Sequence, residues 1–175
     1  MNSIRRYFAG LVCIGFVFAC AQAARAADDA SGDVAAAARA NGKVDFAARL
    51  ARARVGPDDT VIVLVHSAKD CVFCQRWKGS LGGRGELEQY VGAHPGVQFH
   101  IVERPTIAES EARGLYPESL VWLYDKRDDK GRKRAAVPSY DVIVRHKVVW
   151  HALGYSAWDK TVFPAIRDLD ARRGR

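Results

Sequence analysis

"VIVLVHSAKDCVFCQRWK", Val61–Lys78, decides how this chain is read. Its opening, Val61 to Val65, is an unbroken apolar and mostly β-branched run. Such a run marks a strand covered on both faces, usually a parallel strand of an α/β sheet. After Cys71 the period changes: Phe73, Trp77 and Leu81 recur every four residues, as one stripe of a helix. Cys71 and Cys74 lie where strand gives way to helix. From spacing alone the pair is a redox couple, half of a metal site, or a structural staple.

Upstream, the chain opens with Arg5-Arg6, then an apolar stretch from Tyr7 to Ala21, then the small residues "AQAARAADDA". A basic start, a short apolar middle and an Ala-x-Ala exit describe a secretory signal peptide. We expect it to span residues 1–26, with Ala24-Arg25-Ala26 favoured over Ala21-Gln22-Ala23 as the cleavage motif. An uncleaved anchor competes, but the stretch is short for a membrane span. A lipoprotein acceptor at Cys20 in "VFAC" is a third reading that the bulky Phe18 fits poorly. The expected location is the periplasm of a bacterium, with no stable membrane insertion after cleavage.

Of the four cysteines, Cys13 and Cys20 leave with the signal, so the mature chain keeps Cys71 and Cys74. A bridge between them closes a tiny loop and constrains the unfolded chain little. Pure stabilisation is therefore a poor reason for it. The formal charge of +7 falls to about +4 once Arg5, Arg6 and Arg25 are removed. The excess sits partly in "DKRDDKGRKR", Asp125–Arg134, and in the tail "ARRGR", which read as a solvated loop and a basic end. Nothing beyond charge supports a nucleic-acid partner.

The remaining pattern gives the architecture. Residues 27–54 form a helical segment broken near Asn41-Gly42 and ended by "VGPDD". Gly79 and Gly82-Gly83 predict a break in the helix after the cysteines; Leu87, Tyr90 and Val91 resume it. "VQFHIVE", Val97–Glu103, is the next strand. Helical pieces follow, one restarting at Pro117. Tyr140–Val144 and Val148–Leu153 read as a hairpin around Arg145-His146-Lys147. A capping box of Ser156 and Asp159 is expected to open a last helix, with Pro164 as an interior kink. The order is helix, strand, helix, strand, helix, strand, strand, helix. The first strands joined through helices should be parallel and the last two antiparallel, in an α/β fold with a mixed central sheet.

With the pair at a strand-to-helix switch and "AAVPSYDVIVRHKVVWHALGY" downstream, residues 55–175 resemble the thioredoxin-like superfamily, in its exported thiol–disulfide oxidoreductase type. The resemblance implies a three-layer sandwich with a mixed central sheet flanked by helices. It puts Pro138 in the place of a cis-proline that opens a strand, and Gly154 before the terminal helix. It implies that Cys71, at a helix N-terminus, attacks partners as a thiolate and that Cys74 resolves the mixed disulfide. The backbone of Val137 and Pro138 would dock substrate. Electrons would pass to or from protein thiols or disulfides and an unidentified redox partner protein, with no bound cofactor. The sequence also departs from the family's commonest reductases: Asp70 precedes the first cysteine, Val72-Phe73 separate the two, and Val65 stands where those reductases carry a buried acid.

Two alternatives stay open. One is a non-catalytic binding module on the same fold. The other is delivery of copper or another metal, with His66, His100, His146 or His151 supplementing the cysteines. His66, at the strand end near the motif, is the histidine to watch, although a satisfied polar group is its ordinary role. Phe73 is expected to be partly exposed and Trp77 to be core.

Overall fold

A computed structural model of the chain describes residues 46, 48–79, 82–128 and 134–174. The expected signal peptide, Cys13, Cys20, Leu81 and most of the helical segment 27–54 lie outside these residues. Among those described, no helix is long and apolar enough to cross a membrane.

The strands are β1 (Val61–Ala68), β2 (Val97–Arg104), β3 (Ser139–Val144) and β4 (Lys147–Leu153). They form one sheet in the order β2-β1-β3-β4. Strands β1 and β2 run parallel, whereas β1–β3 and β3–β4 are antiparallel. The helices are α1 (Val72–Lys78), α2 (Gly83–Ala93), α3 (Val121–Asp128) and α4 (Phe163–Arg173). This is the α/β mixed sheet expected, and its layers follow from alternation along the central strands. Val61, Val63 and Val65 of β1 face one side, where Trp77 of α1, Leu87 of α2 and Ile166 and Leu169 of α4 complete a core. Leu64 and Ile143 face the other side and pack with Leu120 and with Leu123 of α3. Strand β1 is thus covered on both faces, as its unbroken apolar run required.

The break between α1 and α2 has a packing reason. Gly83 opens α2 where a Cβ would collide with the indole rings of both Trp77 and Trp158. These rings meet edge to face with centroids 5.2 Å apart. Gly83→Ala should therefore destabilise the fold by roughly 1–3 kcal/mol through overpacking. A urea titration measures this, and an unchanged midpoint would contradict it.

Two local expectations are corrected at the C-terminal helix. No side chain caps its start: the chain passes from Ala157 into a wide π turn, Trp158–Val162, so Ser156 and Asp159 form no capping box. Pro164 is not an interior kink either, because it lies in the first turn of α4. The widened turn before it accommodates a ring that would clash with the carbonyl four residues back, and a residue that lacks the donor for it. The restart near Pro117 is seen as a 3₁₀ turn, Glu118–Leu120, leading directly into α3.

The hairpin turn carries two non-glycine residues in the left-handed region, Arg145 at φ 52° and His146 at φ 58°. Such paired geometry suits the twist of a two-residue hairpin. Here the Arg145 guanidinium is tied to Asp59 at 2.7 Å, and the His146 ring lies 5.9 Å from that of Trp122.

Candidate functional site

Strand β1 ends at Ala68, and Lys69-Asp70 turn the chain into α1. Cys71 is the N-cap of that helix, with extended backbone, and its Sγ accepts the Cys74 N–H at 3.1 Å. A sulfur in this position replaces the side-chain oxygen that usually satisfies an orphan donor at a helix start. Cys74 follows one turn later on the same face, and the two residues form a disulfide with Cα atoms 5.2 Å apart.

The pair is almost closed off from solvent, with Cys71 2% and Cys74 1% exposed, packed against Ala68 and Val137. Its apolar neighbours on α1 point the other way: Val72 is 67% and Phe73 53% exposed. Trp77 is buried in the core, so both aromatic expectations hold. The Val137–Pro138 bond is cis. Pro138 leads directly into β3, and its carbonyl accepts the N–H of Gly154 at 2.8 Å. Gly154 sits at φ 93°, a conformation glycine adopts without penalty. The four residues singled out from sequence, Cys71, Cys74, Val137 and Pro138, therefore meet at one end of the sheet.

The loop after β2 forms a wall beside them. Asp70 accepts the Ile107 N–H at 2.8 Å, and the Lys69 N–H donates to the Arg104 carbonyl at 3.1 Å. The Arg104 guanidinium, itself buried, holds the loop from inside by donating to the carbonyls of Thr106 and Ile107. Asp70 is thus occupied in shaping the rim of the site.

Val65 is a buried core residue on the face of Trp77. The polar groups lie on the neighbouring residue. His66 is fully buried, and its two ring nitrogens meet Glu111 Oε1 at 2.8 Å and Asp141 Oδ2 at 3.2 Å. Arg104 Nη1 reaches the same Glu111 oxygen at 3.4 Å. Arg127 of α3 donates to Asp141 at 3.0 Å and lies 3.5 Å from Glu111. The Tyr116 hydroxyl also donates to Glu111, and half-exposed His151 of β4 meets Asp141 Oδ1 at 2.7 Å.

The ionisations follow from these contacts. Burial alone would push the His66 imidazole down, but its hydrogen bonds to Asp141 and Glu111 outweigh this and raise its pKa. Burial would raise the two carboxyls. Hydrogen bonds from His151 and His66 hold Asp141 well below the usual range, and those from His66 and Tyr116 lower Glu111.

His66 is thus the satisfied polar group that its position suggested, but its partners were not anticipated. Asp141 had a readable signal: it is a lone acid in "SYDVIV", a strand buried at every position. Glu111, Tyr116 and Arg127 come from the segment between β2 and β3, where only the fold shows which polar residues turn inward. Among the described residues, no group of three or more His, Cys, Asp or Glu side chains is placed to hold a metal ion.

No family model matches the chain, and no curated protein matches it either. A mixed α/β sheet and a Cys-x-x-Cys disulfide at its strand-to-helix switch are compatible with a thioredoxin-like protein.

Proposed function

We propose that the protein is an exported thiol–disulfide oxidoreductase, acting in a bacterial periplasm on protein thiols or disulfides. The observation that carries this reading is the Cys71–Cys74 disulfide at the cap of α1, with the Cys74 N–H aimed at Cys71 Sγ. An N–H donor stabilises sulfur more as a thiolate than as a thiol, so it favours Cys71 as the nucleophile and leaving group. Cys74, one turn inside the helix, resolves the mixed disulfide. Val137 packs against the buried cluster of Ala68, Cys71 and Cys74, so a polypeptide paired with the Val137-Pro138 backbone would lie beside the bridge. Val72 and Phe73 offer such a chain apolar contacts.

The test is an equilibrium titration of the mature protein in glutathione buffers, with the pair followed by thiol alkylation. We expect a reversible transition at a definite potential, whose position says whether the protein oxidises or reduces its partners. A pair that stays oxidised across the whole range would end this reading. The near-complete burial of both cysteines favours one competitor, a non-catalytic binding module. That reading expects Cys71→Ser to leave partner capture intact.

A further inference from the structure

The strongest feature that this reading leaves unused is the buried ionic cluster around His66. We propose that this cluster is the electrostatic partner of the Cys71–Cys74 pair: a proton on His66 stabilises the thiolate formed when the bridge opens, so that reduction and proton uptake by His66 are coupled. The inference rests on the redox reading and names what regulates the site.

Three observations place the cluster against the pair. His66 precedes Ala68 by two residues on β1, which is one repeat of a strand, about 7 Å, and the same face. Ala68 shares one buried cluster with the two cysteines. His66 also lies opposite Ser139 in the β1–β3 register, next to Pro138. Finally, the cluster is bonded to the wall of the site. His66 meets Glu111, Glu111 meets Arg104, Arg104 holds the Ile107 carbonyl, and the Ile107 N–H is bound by Asp70, next to Cys71.

The charge count gives the sign. The charged groups facing His66 are Glu111 from the loop after β2, Asp141 from β3, Arg127 from α3 and, through Glu111, Arg104 from the end of β2. Tyr116 is neutral, and His151 lies beyond Asp141 at the surface. Two cations oppose two carboxylates, so the cluster is balanced when His66 is neutral and carries one positive charge when it is protonated. Charges on the order of 10 Å apart in a poorly screened interior still interact by more than RT. A disulfide has no charge to respond to that field, whereas a thiolate does.

The exchange balances as follows. A partner thiolate attacks Cys71 Sγ, the Cys71–Cys74 bond breaks, and its electron pair leaves on Cys74 Sγ. The partner's second thiolate attacks its own sulfur in the mixed disulfide and expels Cys71 as a thiolate. The partner is oxidised to a disulfide and has lost two protons. One ends on Cys74, and the other goes to His66 where that ring is neutral, or otherwise to solvent.

Coupling of this kind is reciprocal, so the wild-type chain can report it. The experiment is an NMR titration of the histidine rings in the oxidised protein and in protein reduced with a phosphine. His146, at the far end of the hairpin, serves as the reference. We expect His66 to bind its proton roughly fivefold more tightly in the reduced form, with His146 unchanged. Equal affinities in the two states would overturn the proposal. A folded His66→Gln protein supplies a second readout, the pH profile of Cys71 alkylation. Its thiolate fraction near neutral pH should fall roughly fivefold, and an unmoved profile would also overturn the coupling. The glutathione titration is separate: a pair that does not cycle there defeats the oxidoreductase reading, whereas the His66 comparison decides the coupling alone.

Discussion

Cys74→Ser should convert the protein into a trap that accumulates a covalent complex with its partners, whereas Cys71→Ser should abolish exchange and form no such complex. The asymmetry follows from position. Cys71 Sγ is the atom that accepts the backbone N–H at the helix cap, and Cys74 lies one turn further in; both are buried, so the N–H and not exposure distinguishes them. In Cys74→Ser the Cys71 thiolate attacks a partner disulfide, one partner sulfur leaves as a thiolate, and the mixed disulfide persists until a second thiolate displaces the partner. With Cys74 gone that step waits for an external thiol, so the complex survives non-reducing electrophoresis and is released by dithiothreitol. Without Cys71 the deeper sulfur is left with no attacking group in front of it, and exchange should fall to the uncatalysed rate. If the two variants trap partners equally, or neither does, the assigned roles are wrong. A metal-delivery protein would show no trapped polypeptide with either variant.

What the sequence made legible, and what it hid, separates along physical lines. Val61–Val65 and the shift to helical spacing at Phe73 and Trp77 are periodic signals, and periodicity survives without knowledge of tertiary contacts. They placed the strand, the helix and the two cysteines at the switch between them, and left open whether the pair forms a disulfide. The mixed sheet followed from the order of elements and from the short turn at Arg145-His146. The start of the last helix was misread because Ser156 and Asp159 have the right spacing for a cap, yet the buried Trp158 and Val162 are seated by a wider turn. The ionic cluster was hidden for another reason. His66, Glu111, Arg127 and Asp141 are scattered along the chain, and each alone looks like an ordinary polar residue. Only the parallel and antiparallel registers on either side of β1, with α3 packed over them, bring the four together. The segment between β2 and β3 supplies Glu111, Tyr116 and Arg127.

Asp141→Ala should be among the most destabilising single substitutions in the chain. Asp141 is 2% exposed and binds His66, Arg127 and His151 at once. Removing it strips a counter-charge from a buried histidine and an arginine, and breaking one side of a buried ion pair costs about 3–5 kcal/mol. Asp141→Asn keeps the volume and some hydrogen bonds but loses the charge, so it should fall between wild type and alanine. Chemical denaturation at pH 6 orders the three proteins; equal midpoints for Asp141→Ala and wild type would refute the argument. The pH dependence gives a second check, with opposite signs on its two sides. Asp141 and Glu111 are depressed in the folded protein, so their stabilisation is present above their unfolded values, near 4. It drains away as pH falls towards the folded values. His66 is raised from its ordinary 6.5, so its contribution is complete below that value and is lost as pH rises through the folded one. Stability should therefore peak between about pH 4 and 6.5. His66→Gln should flatten the alkaline decline while leaving the acid limb in place, because a glutamine has no proton to lose and the carboxylates still titrate against Arg127 and Arg104.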